Sequence, residues 1–433
     1  MPAQATPKEP FQGARRLHLL ADDLTGALDS AAAFDLEVPV HLDAPPASAG
    51  VAASDIAVAT ATRSVVAVAT ASRDVPADTL ERLLQPALPW FASADLAFKK
   101  VDSLLRGNTF AECAYLARAV GFDGVVFAPA FPGQRRVTLA GQQRLVAADA
   151  GRTPPPQDQV GPSMVEAFAA LGLDCRTSTH PPGPAPDGAR PLVWIPDVRS
   201  DADLQRVARL ATEPASPLGG RWLWCGSAGL AQALAAQLGW GLRQADRQLQ
   251  APTEPPVQTA IAGTTPPPPH EQRPAWRQVL MLGASHHPVV RRQWQHLRQA
   301  LPDAVHMGEG DASQFASACA ALAGEVGVVA LELSPTHALS AAQAAALLRE
   351  QLAELVRCSR KPSTLLVVGG DTLLGVCRAT GVQSLVTRPA ARPGWGAARL
   401  VGGVWDGLTC HSRSGAFGQA TDLVDILHAL DSP

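Results

Sequence analysis

The chain has 433 residues, 46% of them apolar and 17% charged, enough to bury a sizeable core and too apolar for a disordered protein. Its 36 basic and 39 acidic residues leave a formal charge of -3, which offers no field to a nucleic-acid backbone. The seven cysteines form no CxxC, no apolar run approaches the roughly 20 residues that cross a bilayer, and the N-terminal MPAQATPKEPFQGARR has no apolar h-region. A disulfide miniprotein, a membrane protein and a DNA-binding protein are thereby excluded, and a cytoplasmic protein with reduced thiols is expected. At about three times the typical domain size, two domains are expected rather than one.

In chain order, the first half alternates short apolar runs with helical patterns. Strands are predicted at Leu17 to Ala21, Ile56 to Thr60, Val65 to Thr70, Leu96 to Lys99, Gly124 to Ala128, Leu192 to Ile195 and Trp222 to Cys225. Helices are predicted at Thr25 to Phe34, Ala77 to Leu84, Phe110 to Val120, Ala202 to Ala211 and Ala228 to Leu238. Strands separated by helices in this way build βαβ units around a largely parallel sheet. A loop at Pro181 to Arg190 interrupts this half, and from Ala251 to Pro274 the sequence turns proline-rich, with eight prolines that favour a stiff, solvated linker. The alternation then resumes, with strands predicted at Val279 to Gly283, Val328 to Leu333, Leu365 to Val368, Arg399 to Val404 and Leu408 to His411. The helices of this half fall at Val289 to Ala300, Ser340 to Arg357, Thr372 to Ala379 and Thr421 to Leu430. The expectation is two α/β domains, 1–250 and 278–433, joined by a linker at 251–277, with an interdomain cleft suited to a small molecule.

Several strand ends carry residues that suit chemistry. ADDLTGA places Asp22 and Asp23 between the first strand and its helix, at the edge where open α/β sheets bind ligands. Helix capping accounts for one aspartate, and less comfortably for two. KKVDSLLRGN, at 99–108, packs Lys99, Lys100, Asp102, Ser103, Arg106 and Asn108 into one loop. An ordinary charged loop has no need of the sharp turn that Gly107 suggests, and an anion site is the better reading, since arginine forks bind carboxylates and lysine suits phosphate. Arg73 in TASR and Arg135 and Arg136 in PAFPGQRR add cations at neighbouring strand ends. The second half carries glycine turns instead. VVGGDTLLG (Gly369, Gly370, Asp371, Thr372) joins a strand to a helix, and LGASHHP presents Ser285 at another such junction. RSGAFG brings Arg413, Gly415 and Gly418. Glycines let backbone N–H groups approach a phosphate, although a lone GGDT also serves as a plain tight turn with Asp371 as its cap. His286 and His287 are adjacent rather than at metal-ligand spacing, which reads as surface.

There is no GxxxxGK[ST] and no GxGxxG after the first strand. HExxH and cysteine–histidine clusters are absent, so no protein-bound catalytic metal is expected. CGSAGLA, at Cys225 to Ala231, has a cysteine where a GxSxG elbow needs glycine.

Together ADDLTGA, TASR, KKVDSLLRGN, PAFP with Arg136, GSAGLA, GGDT and RSGAFG resemble the four-carbon acid sugar kinase family, ATP-dependent enzymes acting on threonate, erythronate or 3-oxo-tetronate. The resemblance implies an N-terminal substrate-binding domain and a C-terminal nucleotide-binding domain. It places Asp22, Asp23, Arg73, Lys100, Asp102, Arg106 and Arg136 around the sugar acid. It places Ser285, Gly369, Gly370, Asp371, Thr372, Arg413, Gly415 and Gly418 around ATP, with Mg2+ carried by the nucleotide. Leu104 departs from the family's threonine, Ala284 and Arg135 from glycines, and Arg413 from a lysine. The implied reaction moves the γ-phosphoryl of ATP to the terminal hydroxyl of the acid, with Asp23 or Asp371 accepting the hydroxyl proton. The partners are then a sugar acid and ATP, with no nucleic acid or membrane, and a homodimer is compatible. Two other readings compete. A non-catalytic sensor of sugar acids explains the arginines and leaves the glycine turns idle, and a sugar-acid aldolase or dehydratase needs a metal or a Schiff-base lysine, for which Lys99 or Lys100 is available.

Overall fold

The computed structural model describes residues 15–34, 37–44, 63–146, 158–183, 190–213, 216–240, 278–302, 305–309, 312–323, 327–333, 339–392, 394–415 and 418–431. The chain splits into two compact units, Met1–Gly241 and Leu242–Pro433. The strand predicted at Ile56 to Thr60, the proline-rich stretch at 251–277 and most of the loop at Pro181 to Arg190 lie outside the described residues.

The strands of the first unit are β1 (Arg15–Ala21), β2 (Pro39–His41), β3 (Arg63–Ala69), β4 (Leu96–Lys100), β5 (Gly124–Ala128), β6 (Arg136–Leu139), β7 (Gln142–Leu145), β8 (Asp158–Gln159), β9 (Cys175–Ser178), β10 (Leu192–Pro196) and β11 (Trp222–Gly226). All but β6, β7 and β8 lie in a parallel sheet ordered β2-β3-β1-β4-β11-β5-β10-β9. β4, β5 and β11 are buried along their whole length. That is the pattern of strands covered by helices on both faces, and it explains why their sequences are apolar without alternation. The covering helices include Leu24–Ala31, Ala77–Leu84, Thr109–Val120, Asp201–Arg209 and Ala228–Leu238. Each starts within a residue of its predicted position. Where the helix Thr109–Val120 and the unpredicted helix Met164–Ala170 cover the sheet, Phe168 meets Phe110 at 5.1 Å and Phe127 at 4.9 Å, both edge to face. Such aromatic contacts add to area burial.

β6, β7 and β8 form a separate small antiparallel sheet, in which Thr138 lies opposite Gln143. Nothing in the apolar pattern announced it.

In the second unit the strands are β12 (Val279–Gly283), β13 (Val305–Glu309), β14 (Val328–Glu332), β15 (Thr364–Val368), β16 (Ser384–Arg388), β17 (Gly396–Val401) and β18 (Thr409–Arg413), in the order β13-β14-β12-β15-β18-β17-β16. The pairs from β13 to β18 are parallel, and β17 runs antiparallel to both of its neighbours. The strand predicted from Arg399 to Val404 therefore starts earlier and stops at Val401. Beyond it the chain turns, with Asp406 Oδ1 accepting the Gly402 N–H at 2.7 Å, a local side-chain bond that competes with a strand ladder. The helices Pro288–Ala300, Ala341–Cys358, Gly370–Thr380 and Asp422–Asp431 match expectation to within two residues, whereas Ala312–Ala323 was not foreseen. Both units are mixed α/β with largely parallel sheets. Among the described residues no helix is long and apolar enough to cross a membrane.

Candidate active site

The chain leaves β1 toward β2 and β3, and leaves β4 toward β5 on the opposite side. The connections thus diverge outside the carboxyl ends of β1 and β4, the crevice in which open parallel sheets take their ligands. Asp22 and Asp23 follow β1 directly, and Lys99 and Lys100 end β4, with Ala21 registered against Lys100.

Asp23 is the N-cap of the helix Leu24–Ala31, with its Oδ1 accepting the Gly26 N–H at 3.2 Å and its Oδ2 the Thr25 hydroxyl at 2.6 Å. Capping explains this aspartate but not its neighbour. Asp22 is only 1% exposed and takes both arms of Arg73, from Nε at 2.8 Å and from Nη2 at 3.0 Å; the same Nη2 reaches Asp23 at 2.6 Å. Burial alone would raise the Asp22 carboxyl. Lys99 and Arg73 outweigh it and hold the group below the ordinary carboxylate range.

Arg73 is fixed in turn by the loop after β4. The Asn108 amide donates to Ser72 O and Val75 O, each at 2.9 Å, and the Asn108 backbone N–H to Arg73 O at 3.0 Å. Gly107, at φ +70°, lies flat against the Arg73 carbonyl, where any Cβ would collide. This close approach, not mere loop flexibility, is why glycine stands there.

Lys99 does not face the crevice. It is 1% exposed and pairs with the fully buried Glu112 at 2.5 Å, while Nζ also donates to Lys100 O at 3.1 Å. Burial works against its charge, but Glu112 and Asp22 raise its pKa, and it stays an ammonium. Lys100 is the lysine at the site: its Nζ donates to Val101 O at 2.9 Å and lies beside Gly26, near Asp23. Asp102 receives Arg106 through Nε at 2.8 Å and Nη2 at 2.9 Å, a fork that with Arg73 overcomes burial and holds Asp102 well below the usual range.

Of the two arginines in PAFPGQRR, Arg135 is exposed at φ +59°, whereas Arg136 opens β6, is buried and donates to the Ser103 hydroxyl. Burial pushes its pKa down to about 10, still a cation at neutral pH. The structure thus gathers Asp22, Asp23, Arg73, Lys100, Asp102, Arg106 and Arg136 at neighbouring strand ends. With Lys99 and Glu112 the cluster holds five cationic side chains against four carboxylates, a formal surplus of one positive charge. Such a crevice suits a small carboxylate. Glu112, Ser103 as an arginine acceptor, and Gln143 behind it were not singled out from sequence. Ser103 stood within the KKVDSLLRGN loop, and Glu112 left a trace as an acid within a helix that must bury one face.

In the second unit, β12, β15 and β18 are adjacent, and their last residues Gly283, Val368 and Arg413 lie in register. Ser285, the Gly369–Thr372 turn and Gly415 therefore meet at one sheet edge. Ser285 Oγ accepts the His287 N–H at 3.3 Å, and a Cβ on Gly415 would stand 2.9 Å from that oxygen. Two helices, Pro288–Ala300 and Gly370–Thr380, begin at this edge and direct their N–H groups toward it. The cap of the second is Gly369, at φ +111°, not Asp371, which sits exposed in the first turn with Thr372 buried beside it. The first is capped by the exposed His287, and His286 is exposed too, as expected of surface residues. The cradle fits a phosphate chain, with backbone donors, small residues and a hydroxyl.

Arg413 is placed differently from expectation. It is 3% exposed, ion-paired with Asp422 and 5.4 Å from the centre of the Trp395 ring. Gly418 closes against that pair, and a Cβ there would strike both partners. Arg413 is thus committed to an internal ion pair, with Gly418 packed against it. Among the described residues no group of three or more histidine, cysteine or acidic side chains could hold a metal ion.

These features define an α/β protein with a cluster of charged side chains in the crevice at the β1–β4 switch point. Residues 17–168 match the sugar-binding N-terminal domain family. Over 239 residues the chain is 30% identical to the D-threonate kinase of Cupriavidus necator. The match covers 50% of this chain and 53% of that enzyme, so the chain spans about half the length of the curated relative it matches. Two solved structures share the fold. One is a Salmonella typhimurium LT2 protein provisionally described as a tRNA synthase, with TM-score 0.62 and 17% identity over 94% of this chain and 98% of that one. The other is a Haemophilus influenzae protein of the DUF1537 family, with TM-score 0.59 and 15% identity over 96% of this chain and 100% of that one. The four-carbon acid sugar kinase resemblance drawn from the motifs agrees with both the family match and the relative.

Proposed function

We propose that the protein is an ATP-dependent kinase that phosphorylates the terminal hydroxyl of a four-carbon sugar acid. The observation that carries this reading is the charge-surplus cluster of Asp22, Arg73, Lys100, Asp102, Arg106 and Arg136 at the switch point of a sugar-binding domain. The similarity to a D-threonate kinase supports it. Lys100, Arg106 and Arg136 hold the acid's carboxylate, while Asp22 and Asp23 orient Arg73 and offer acceptors to hydroxyls. Phosphoryl transfer depends on positioning and charge neutralisation more than on covalent chemistry. Ser285, Gly369, Gly370, Thr372 and Gly415 hold the triphosphate, and Mg2+ bound with the nucleotide supplies further charge neutralisation. Asp23 is engaged as the cap of the helix Leu24–Ala31 and as a partner of Arg73, accepting from Gly26, Thr25 and Arg73. We assign proton acceptance from the hydroxyl to Asp371, which sits exposed in the first turn of the helix Gly370–Thr380.

An aldolase with a Schiff-base Lys99 is disfavoured, because that ammonium is buried, paired with Glu112 and held protonated. The test is ADP release with ATP, Mg2+ and the D and L forms of threonate and erythronate together with their 3-oxo acids. Turnover of one tetronate is expected. Nucleotide binding with silence across the panel moves the search to other acids, and silence without nucleotide binding favours a sensor.

A further inference from the structure

The small antiparallel sheet β6–β8 has no part in the parallel core, yet it is fastened to the crevice at three points within the segment 103–105. Arg136, on β6, donates to the Ser103 hydroxyl. Gln143, on β7 and fully buried, donates its amide to Ser103 O at 2.9 Å and to Pro129 O at 3.3 Å. Gly161, just past β8, packs on Leu105, with its Cβ position 3.2 Å from the Leu105 Cβ. The Gln143 amide is itself oriented: its Oε1 accepts the Thr138 hydroxyl, opposite on β6, at 2.7 Å. A single side chain thereby joins the loop after β4, which carries Asp102 and Arg106, to the loop after β5, which leads to Arg136.

The held segment is not relaxed. Leu105 has φ +59°, a left-handed conformation that a leucine adopts only where its surroundings over-determine it, and such residues cluster at ligand sites. Asp102 organises the turn from inside, with its backbone oxygen accepting Leu105 N–H at 2.9 Å and its Oδ2 accepting Arg106 N–H at 3.2 Å. These local bonds close the turn but do not anchor it to the sheet. Gln143 does so.

We infer that Gln143 is a positioning residue, which acts through Ser103 to hold Asp102, Arg106 and Arg136 in the geometry that receives the sugar acid. This rests on the proposed function for its substrate but not for its structural content. The test has two readouts on the full chain carrying Gln143→Met, which keeps length and removes both donors. The first is amide hydrogen exchange of Leu105, Arg106 and Asn108 without ligand, which is expected to rise at least about tenfold as the two hydrogen bonds donated to Ser103 and Pro129 are lost. The second is steady-state kinetics with D-threonate and ATP, in which KM for the acid rises about tenfold and KM for ATP stays within about twofold. Thr138→Val, which only disorients the amide, shifts both readouts the same way but less, and keeps the test open if Gln143→Met does not fold. Unchanged exchange at 105–108 in these variants overturns the inference, as does an unchanged acid KM in an active enzyme. If the wild type phosphorylates no tetronate, the functional reading fails, and exchange alone decides the role of Gln143.

Discussion

Arg73 neutralises two aspartates that the fold has largely taken out of water, so its removal is the sharpest perturbation of the first unit. Arg73→Met keeps the length and apolar stem of the side chain and deletes three charge-assisted hydrogen bonds, at 2.8, 3.0 and 2.6 Å. Asp22, 1% exposed, keeps Lys99 nearby but loses its only bidentate partner among the described residues. Deleting one member of a buried ion pair costs about 3–5 kcal/mol, because the other charge is left uncompensated. The Arg73 side chain is 17% exposed, so water relieves part of this, and the lower end, about 3 kcal/mol, is expected. For a unit of this size that corresponds to a fall in Tm of about 6–12 °C. The assay is urea unfolding followed by hydrogen exchange of peptides from β1 and β4, which isolates the first unit from the second. Asp22→Asn combined with Arg73→Met removes the orphaned charge, and the double variant should be less destabilised than the sum of the singles by about 2 kcal/mol. Strict additivity, or a cost below about 1 kcal/mol for Arg73→Met, would refute the view of Asp22–Arg73 as a buried, mutually dependent pair.

Gly107→Ala forces a Cβ into the Arg73 carbonyl at a positive φ and is expected to cost at least about 2 kcal/mol and to raise the sugar-acid KM. Gly121→Ala, at φ +75° with nothing within 4 Å, should cost only about 1 kcal/mol and leave kinetics alone, and equal costs for the two would count against the close approach. His411 is 5% exposed, and burial lowers its pKa to about 4, so its neutral form is the folded one. Stability from this group is full above about pH 6.5 and is lost as the unfolded chain takes up its proton between about pH 6.5 and pH 4. The loss reaches about 3 kcal/mol at pH 4, and a His411→Asn variant should flatten that part of the stability curve of the second unit. Asp371→Asn is expected to lower kcat by at least about 100-fold with nucleotide affinity retained, as measured by titration with a fluorescent ATP analogue. An unchanged kcat would remove Asp371 as the proton acceptor.

The central strands were legible in the sequence because burial on both faces makes them short, continuous apolar runs: LAFKK, GVVFA and WLWCG needed no partner to be recognised. Of the strands that escaped notice, which also include β6, β13 and β16, several lack that signature. β2 is three residues long and starts at a proline, β9 reads CRTS at the end of the sheet order, and β7 and β8 read QQRL and DQ. Edge strands and small antiparallel sheets take their pairing from tertiary neighbours rather than from hydrophobic pattern, and polar sequences there leave no period to count. The strand expected to reach Val404 failed for a related reason. Its apolar composition continued past Val401, but a local side-chain bond from Asp406 captured the backbone first.

The same division runs through the site. The charged residues at a strand end cluster in sequence, because one loop carries several of them, and so Asp22 with Asp23 and Lys100 with Asp102 and Arg106 could be picked out directly. The partners of residues that hold those loops cannot be read from a cluster, since they lie in segments that the chain has separated. Glu112 reaches back to Lys99 from the next helix, Asn108 reaches Ser72 and Val75 across more than thirty positions, and Gln143 spans from β7 to both Ser103 and Pro129. Lys99 shows the cost of reading the ligand loops alone. Beside Lys100 in the sequence it looks like half of a cationic pair, but successive residues of a strand point to opposite faces. One lysine therefore meets the crevice while the other is committed to a buried carboxylate. Adjacent charges at a strand end are alternatives, not partners, and in this fold it is the second of the two that reaches the crevice beside Gly26.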